Sequence, residues 1–132
     1  MDVFPFFVYM FGYSLQASWG DYQILGWPNR VVHILGGVSF AVVGYFVLDL
    51  AKKSKLVNTS NRFIDFILIL FFVMSVSVFW EFWEFLSDKY LRTNSQSSVA
   101  DTVKDMFMGM LGAVLFGFGW LIARLKSGKI KV

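Results

Sequence analysis

The sequence contains no cysteine and few charged residues for its length. Without cysteine, the chain has no disulfide bonds and no thiolate metal ligands. Only 16% of its 132 residues are charged, whereas 57% are apolar and 20% are aromatic. This composition excludes intrinsic disorder, and it leaves too few charges to cover the large surface of a small soluble domain. It therefore predicts an integral membrane protein.

The charge balance also excludes a nucleic-acid-binding function. The net charge is only +3, and the basic residues lie in short runs rather than on a basic surface lined by aromatic side chains. The expected partner is the lipid bilayer. Faces rich in glycine, tryptophan and tyrosine could serve either packing within the bundle or the interface of a homo-oligomer.

Four apolar stretches divide the chain. They predict helices over about residues 3–19, 28–50, 62–88 and 99–124. The first stretch has 17 residues without a charge. At about 1.5 Å per residue it reaches only ~25 Å, so it is a marginal span. The predicted fold is an all-α, polytopic membrane helical bundle with four transmembrane helices, forming the single domain 1–132.

The distribution of charge predicts how the bundle is oriented. Eight of the twelve basic residues follow the second or fourth stretch: Lys52, Lys53, Lys55, Arg62, Arg124, Lys126, Lys129 and Lys131. By the positive-inside rule, the loop of residues 51–62 and the C-terminus face the cytoplasm of a multi-pass protein in the inner (cytoplasmic) membrane. Six of the nine acids lie toward the extracytoplasmic side: Asp21, Glu81, Glu84, Asp88, Asp101 and Asp105.

Five ionisable residues on or near apolar helices form the candidate site: His33, Glu81, Glu84, Asp101 and Asp105. Such groups are costly inside a bilayer, so a functional site is the default interpretation. Glu81 and Glu84 are three residues apart, and Asp101 and Asp105 are four apart, so each pair shares a helix face. Helical rise places His33, Glu81 and Asp105 at a similar depth, roughly 7–10 Å from the outer ends.

The predicted helices also carry small residues at helical spacing from these polar groups. Gly37, Ala41 and Gly44 follow His33 on the second stretch, and Gly109 and Gly112 follow Asp105 on the fourth. Small residues mark the faces where membrane helices approach closely. We therefore expect the five candidate residues to converge inside the bundle rather than to face lipid.

Several of these residues have simpler interpretations. Glu84 and Asp88 would be solvated near the interface and paired with nearby basic residues. Ser98 and Asp101 fit a capping box at the start of the last helix. His33 would be an interhelical hydrogen-bond donor that fixes packing. Glu81 and Asp105 are the hardest to explain in this way, because they are the deeper acids.

The order of the motifs resembles the YjdF-like family of small prokaryotic inner-membrane proteins and is more distantly similar to VanZ-like proteins. The resemblance rests on residues 29–37 (NRVVHILGG), 80–85 (WEFWEF), 93–96 (TNSQ) and 101–106 (DTVKDM), with a Leu-Gly-Ala segment at 111–113. It implies that His33, Glu81, Glu84, Asp101 and Asp105 occupy motif positions. Members commonly carry more N-terminal helices than this chain, and the family implies no particular reaction.

Three functional hypotheses follow from the five candidate residues. Carboxylates with one imidazole suit a divalent cation. The first hypothesis is therefore a cation-dependent, membrane-embedded site that acts on a lipid or lipid-linked substrate. No G-x-S-x-G, H-E-x-x-H or P-loop motif supports a particular enzyme class. The alternatives are non-enzymatic binding or transport of a cation, proton or solute by an oligomer, and a purely structural polar cluster.

Overall fold

The computed structural model describes residues 27–93 and 95–126, which form three long helices. They are α1 (Trp27–Lys53), α2 (Arg62–Leu91) and α3 (Val99–Lys126). Each helix is long and apolar enough to cross a membrane. The predicted first helix, residues 3–19, lies outside the described residues. The all-α membrane architecture is therefore confirmed for three helices.

The observed helices are longer than the predicted ones. α1 ends at Lys53 rather than near residue 50, and α2 ends at Leu91 rather than near residue 88. α3 continues to Lys126 rather than to residue 124. The predictions placed each end near the edge of the apolar stretch, but the helices continue into the polar residues beyond it. The 30 residues of α2 reach about 45 Å, longer than a hydrocarbon core of about 30 Å.

Local signals fix the ends of α2 and α3. Asn61 caps α2, because its side-chain oxygen accepts a hydrogen bond from the backbone N–H of Phe63 at 2.9 Å. Arg92 ends the helix in the left-handed conformation, with φ 55°. At the start of α3, the hydroxyl of Ser98 accepts a hydrogen bond from the backbone N–H of Asp101 at 3.2 Å. This bond is one half of the predicted capping box.

The helices alternate in direction, which gives the bundle two distinct ends. At one end, α1 and α3 begin and α2 terminates, and Asn29 of α1 is hydrogen-bonded to Asp105 of α3. We call this the carboxylate end. At the other end, Lys52 of α1 pairs with Asp65 of α2, with Nζ and Oδ2 2.6 Å apart. We call this the basic end.

Glycines bring α1 and α3 into the closest contact of the bundle. A methyl group added to Gly37 would overlap the carbonyl oxygen of Gly109, and one added to Gly112 would overlap that of Ile34. Gly109 in turn faces α2, since its added methyl would lie 2.7 Å from the Ser77 hydroxyl oxygen. The helices therefore meet backbone to backbone along the predicted small-residue faces.

A narrow core continues along this contact, and large apolar side chains point outward. Ala41, Val73 and Ala113 are almost fully buried and Ile69 is 8% exposed. Phenylalanines on the outer faces are more than half exposed, including Phe71 at 66%. Such an apolar exterior suits a bilayer, where lipid tails cover it. The polar residues of the carboxylate end are the exception to this pattern.

Candidate functional site

Asp105 of α3 and His33 of α1 meet at the carboxylate end. The imidazole Nε2 of His33 lies 3.5 Å from Oδ2 of Asp105. The same carboxylate oxygen accepts a hydrogen bond from the side-chain amide of Asn29 at 2.9 Å. Asp105 is only 4% exposed. These contacts depend on the close approach of the two helices, because Gly37 and Gly109 lie one turn beyond His33 and Asp105.

Glu81 of α2 completes a three-residue cluster, which we call the His–Glu–Asp cluster. His33, Glu81 and Asp105 each offer one ligand atom, and these atoms all lie within 4.8 Å of one another. Glu81 is 5% exposed. Each helix contributes one member. The predicted convergence is thus seen for these three residues, with one imidazole and two buried carboxylates at a common point.

Apart from His33, the two carboxylates have no basic ion-pair partner in the described part of the chain. No lysine or arginine there forms an ion pair with Glu81 or Asp105, and Arg30, three residues before His33, and Lys104, next to Asp105, are exposed. Buried like charges repel each other and lose hydration. A cation or protons must therefore compensate the cluster.

The loop between α2 and α3 covers Glu81. The side-chain amide of Gln96 donates to the Glu81 carboxylate and to its backbone carbonyl, each at 3.4 Å. Asp88 holds this loop in place by accepting bonds from the backbone N–H groups of Ser95 and Gln96 at 2.8 Å and from the Thr93 hydroxyl at 2.6 Å. Asp88 therefore organises a loop, and no described ion pair joins it to the basic residues nearby.

Glu84 lies beside the cluster and not within it. Its carboxylate accepts a hydrogen bond from the indole N–H of Trp80, one turn earlier on α2, at 2.7 Å. Glu84 and His33 both line a cavity of about 120 Å³ between α1 and α2. The remaining wall is mostly apolar and includes Gly36, Phe40 and Val73.

Asp101 is half-buried in the first turn of α3, one turn before Asp105. Its carboxylate is near enough to act electrostatically on His33 and Glu81. Asp101 therefore lies on the same face of α3 as Asp105, one turn nearer the carboxylate end. Its backbone N–H makes the capping contact with Ser98, and a role of its carboxylate in the site stays a prediction.

Sequence reasoning did not single out Asn29 and Gln96, which are among the residues that contact the cluster. Asn29 precedes His33 by one helical turn, so the spacing of polar residues on α1 could have identified it. Gln96 lies in a connection without helical periodicity. The one signal for it in the sequence was its position within the TNSQ segment of the family resemblance. Both residues donate hydrogen bonds to a cluster carboxylate.

The comparison with known families covers nearly the whole chain. Residues 3–127 match the family described as "Predicted membrane protein (DUF2238)". The chain belongs to this family. No curated protein and no solved structure matches it. Membership in DUF2238 supports the membrane assignment, while the chemistry of this family member must be argued from its own residues.

The donor set of this DUF2238 protein limits what the cluster can hold. Two carboxylates and one imidazole are ligands for hard or borderline divalent cations such as Mg²⁺, Mn²⁺ or Zn²⁺. Asn29 and Gln96 contact the carboxylates from outside, as residues around metal ligands commonly do. The same groups could alternatively hold protons shared among the three side chains.

Proposed function

We propose that the protein binds one divalent cation at the His–Glu–Asp cluster. The observation that carries this proposal is that ligand atoms from three different helices lie within 4.8 Å of one another. His33 supplies an imidazole nitrogen, and Glu81 and Asp105 supply carboxylate oxygens. A divalent cation would balance the charge of the two buried acids, which form no ion pair with any lysine or arginine among the described residues.

We further propose that this cation serves a reaction on a lipid or lipid-linked substrate. A bound cation would polarise a carbonyl or phosphoryl oxygen, or would activate water, close to the membrane surface. The cavity beside His33 and Glu84 supports this proposal, because its mostly apolar wall suits part of a lipid. Glu84 and Asp101 would then act beside the cation, as additional acid–base or ligand groups.

A transport function has less support. The stretches 34–44, 66–80 and 106–123 contain no acidic or basic residue and no histidine. A proton or cation passing between the two ends would therefore meet no ionisable side chain in the middle of the three described helices. Such a function would need an oligomer to enclose a path, and so we place it second.

The orientation and the family relationship extend the proposal. We propose that the carboxylate end is extracytoplasmic and that the basic end and the C-terminus lie in the cytoplasm, in a cell membrane. The bias of basic residues supports this orientation. The ordered motifs from residue 29 to residue 113 support a relationship of this chain to YjdF-like proteins and, more distantly, to VanZ-like proteins.

Elemental analysis of the purified protein tests the cation proposal. We expect the wild-type protein to hold about one equivalent of divalent metal per chain after loading and desalting. Glu81→Gln and Asp105→Asn should each bind the metal about tenfold or more weakly, since each removes a charged ligand. Asp49→Asn is the matched control, because Asp49 is an acid of α1 that pairs with Lys53 at the basic end. Equal metal content in all four proteins would contradict the proposal.

A second experiment separates an enzyme from a binding protein. The metal-loaded protein is incubated with a lipid extract, and the lipids are compared by mass spectrometry with those from a Glu84→Gln incubation. We expect a product that depends on both the metal and Glu84. Metal binding without any change in the lipids would reduce the proposal to a binding or structural site.

A further inference from the structure

Two cavities lie at the basic end, away from the His–Glu–Asp cluster. The first, of about 260 Å³, has charged residues on its wall, including Asp49, Lys52, Arg62 and Asp65. The second, of about 290 Å³, is lined almost entirely by apolar side chains of α2 and α3. We refer to them as the polar cavity and the apolar groove. Neither is part of the proposed cation site.

The charges around the polar cavity leave one cation without a partner. Lys52 pairs with Asp65 at 2.6 Å, and Lys53 pairs with Asp49 at 2.7 Å, so these four residues form two neutral pairs. Arg62 makes no ion pair or hydrogen bond with any described side chain. The four charged residues on the wall of the polar cavity sum to zero. Because Lys53, outside the wall, pairs with Asp49, the Arg62 guanidinium is the wall charge without a described partner, and it can bind a phosphate through two hydrogen bonds.

The polar cavity and the apolar groove are continuous. Arg62, Phe66, Gly117 and Trp120 line both of them. Gly117 makes room for the Phe66 ring at this junction, because a methyl group there would lie 2.7 Å from a ring carbon of Phe66 and closer still to the next one. A ligand could therefore place a charged group at Arg62 while its apolar part continues along α2 and α3.

The surroundings match the interface of a bilayer. Tyr45 and Trp120 line the polar cavity with their rings 6.2 Å apart, and tyrosine and tryptophan are enriched where membrane helices meet the headgroup layer. The groove below them includes Phe63, Phe118 and Leu121, which are more than 40% exposed. These linings are typical of a cavity at headgroup depth beside a groove at acyl-chain depth.

We propose that this end of the bundle binds a phospholipid with a singly charged phosphodiester, taken from the adjacent leaflet. The phosphate contacts Arg62 in the polar cavity, and one acyl chain lies in the apolar groove between α2 and α3. Basic pockets between membrane helices bind anionic headgroups in this way. A free phosphate would use the polar cavity alone and would leave the groove without a function.

Native mass spectrometry of the full-length protein in detergent tests this proposal. The protein is incubated with phosphatidylglycerol, with diacylglycerol of the same acyl chains, or with glycerol phosphate. We expect one phosphatidylglycerol to be retained per chain and neither of the other two compounds, because each lacks one half of the ligand. Retention of glycerol phosphate alone would reduce the site to a phosphate site and overturn the proposal.

Two pairs of variants test the two halves of the site. Arg62→Gln is expected to lower phosphatidylglycerol affinity by about tenfold, since a charge-assisted hydrogen bond is lost. Lys55→Gln, which removes the same charge from an exposed position in the loop that precedes α2, is expected to have little effect. Val114→Phe narrows the groove and should also weaken retention, whereas Leu115→Phe, on the next residue and outside the groove, should not.

The same spectra report the other occupants of the groove. Equal retention by Arg62→Gln and Lys55→Gln would show that the headgroup is not held by Arg62. A dimer that dissociates in Val114→Phe would assign the groove to a second copy of the chain. If the wild-type protein retained no lipid and Val114→Phe had a lower melting temperature, the groove would be assigned to another segment of the same chain. Each result would overturn the proposal, and none depends on the cation site.

Discussion

The contact between Gly37 and Gly109 should control both the stability of the bundle and the geometry of the His–Glu–Asp cluster. We consider the substitution Gly37→Ala. The added methyl group would overlap the Gly109 carbonyl oxygen and lie 3.0 Å from its Cα atom. Both obstacles are backbone atoms, so no side-chain rotation can make room. The helices must separate, and the separation would also increase the distance between His33 and Asp105.

Gly36 provides a matched control on the same helix. A methyl group on Gly36 would meet no atom within 4 Å. Overpacking a tight contact costs about 1–3 kcal/mol, and a backbone obstacle puts Gly37→Ala near the upper end. Alanine gains about 1 kcal/mol over glycine in helix propensity at either position. We therefore expect Gly37→Ala to destabilise the protein by about 2 kcal/mol and Gly36→Ala to leave it equally or slightly more stable.

Unfolding in detergent micelles, monitored by the loss of the helical circular dichroism signal, measures the difference in stability between the two variants. The expected gap between the two variants is about 2–3 kcal/mol in the free energy of unfolding. A second pair repeats the test on α3, since Gly112 faces the Ile34 carbonyl oxygen whereas Gly119 faces open space. If the two variants of each pair had the same free energy of unfolding, the close helix contact would be refuted.

Three further predictions concern other contacts of the fold. Asn61→Ala should lower the unfolding free energy by about 1 kcal/mol, because it removes the cap of α2, and Asn61→Ser should restore most of it. Lys52→Met should cost about 1–3 kcal/mol by leaving the Asp65 carboxylate unpaired, and the added change Asp65→Asn should recover much of the loss, both by the same unfolding measurement. Asp88→Ala should release the loop that holds Gln96, seen as faster amide hydrogen exchange over residues 95–98; unchanged exchange would contradict the role of Asp88.

Much of the fold follows from the apolar stretches alone. Three described helices match three of the predicted ones, because a bilayer requires long apolar helices whatever their detailed sequence. The helix ends were less predictable. Lys52 and Lys53 lie outside an apolar stretch yet continue α1, because lysine is a good helix former and both side chains pair with acids. Periodicity of small residues correctly indicated which faces of α1 and α3 meet.

The site was only partly predictable, for geometric reasons. Glu81 and Glu84 are about 60° apart around α2 at 100° per residue, so spacing alone places both on one face. It does not determine which carboxylate meets His33, and the structure has Glu81 there while Glu84 accepts a bond from Trp80. The contact from Gln96 was not predictable, because it depends on the path of a loop that Asp88 holds.

X-ray absorption spectroscopy of the zinc-loaded protein tests the cation proposal most directly, since it reports the ligands themselves. The proposal predicts a shell of nitrogen and oxygen ligands with scattering from one imidazole, and the loss of that imidazole signal in His33→Gln. The chain has no cysteine and one histidine, so the imidazole signal is unambiguous. Zinc bound without an imidazole in the wild-type protein, or an unchanged spectrum for His33→Gln, would contradict the assignment of the cation to the His–Glu–Asp cluster.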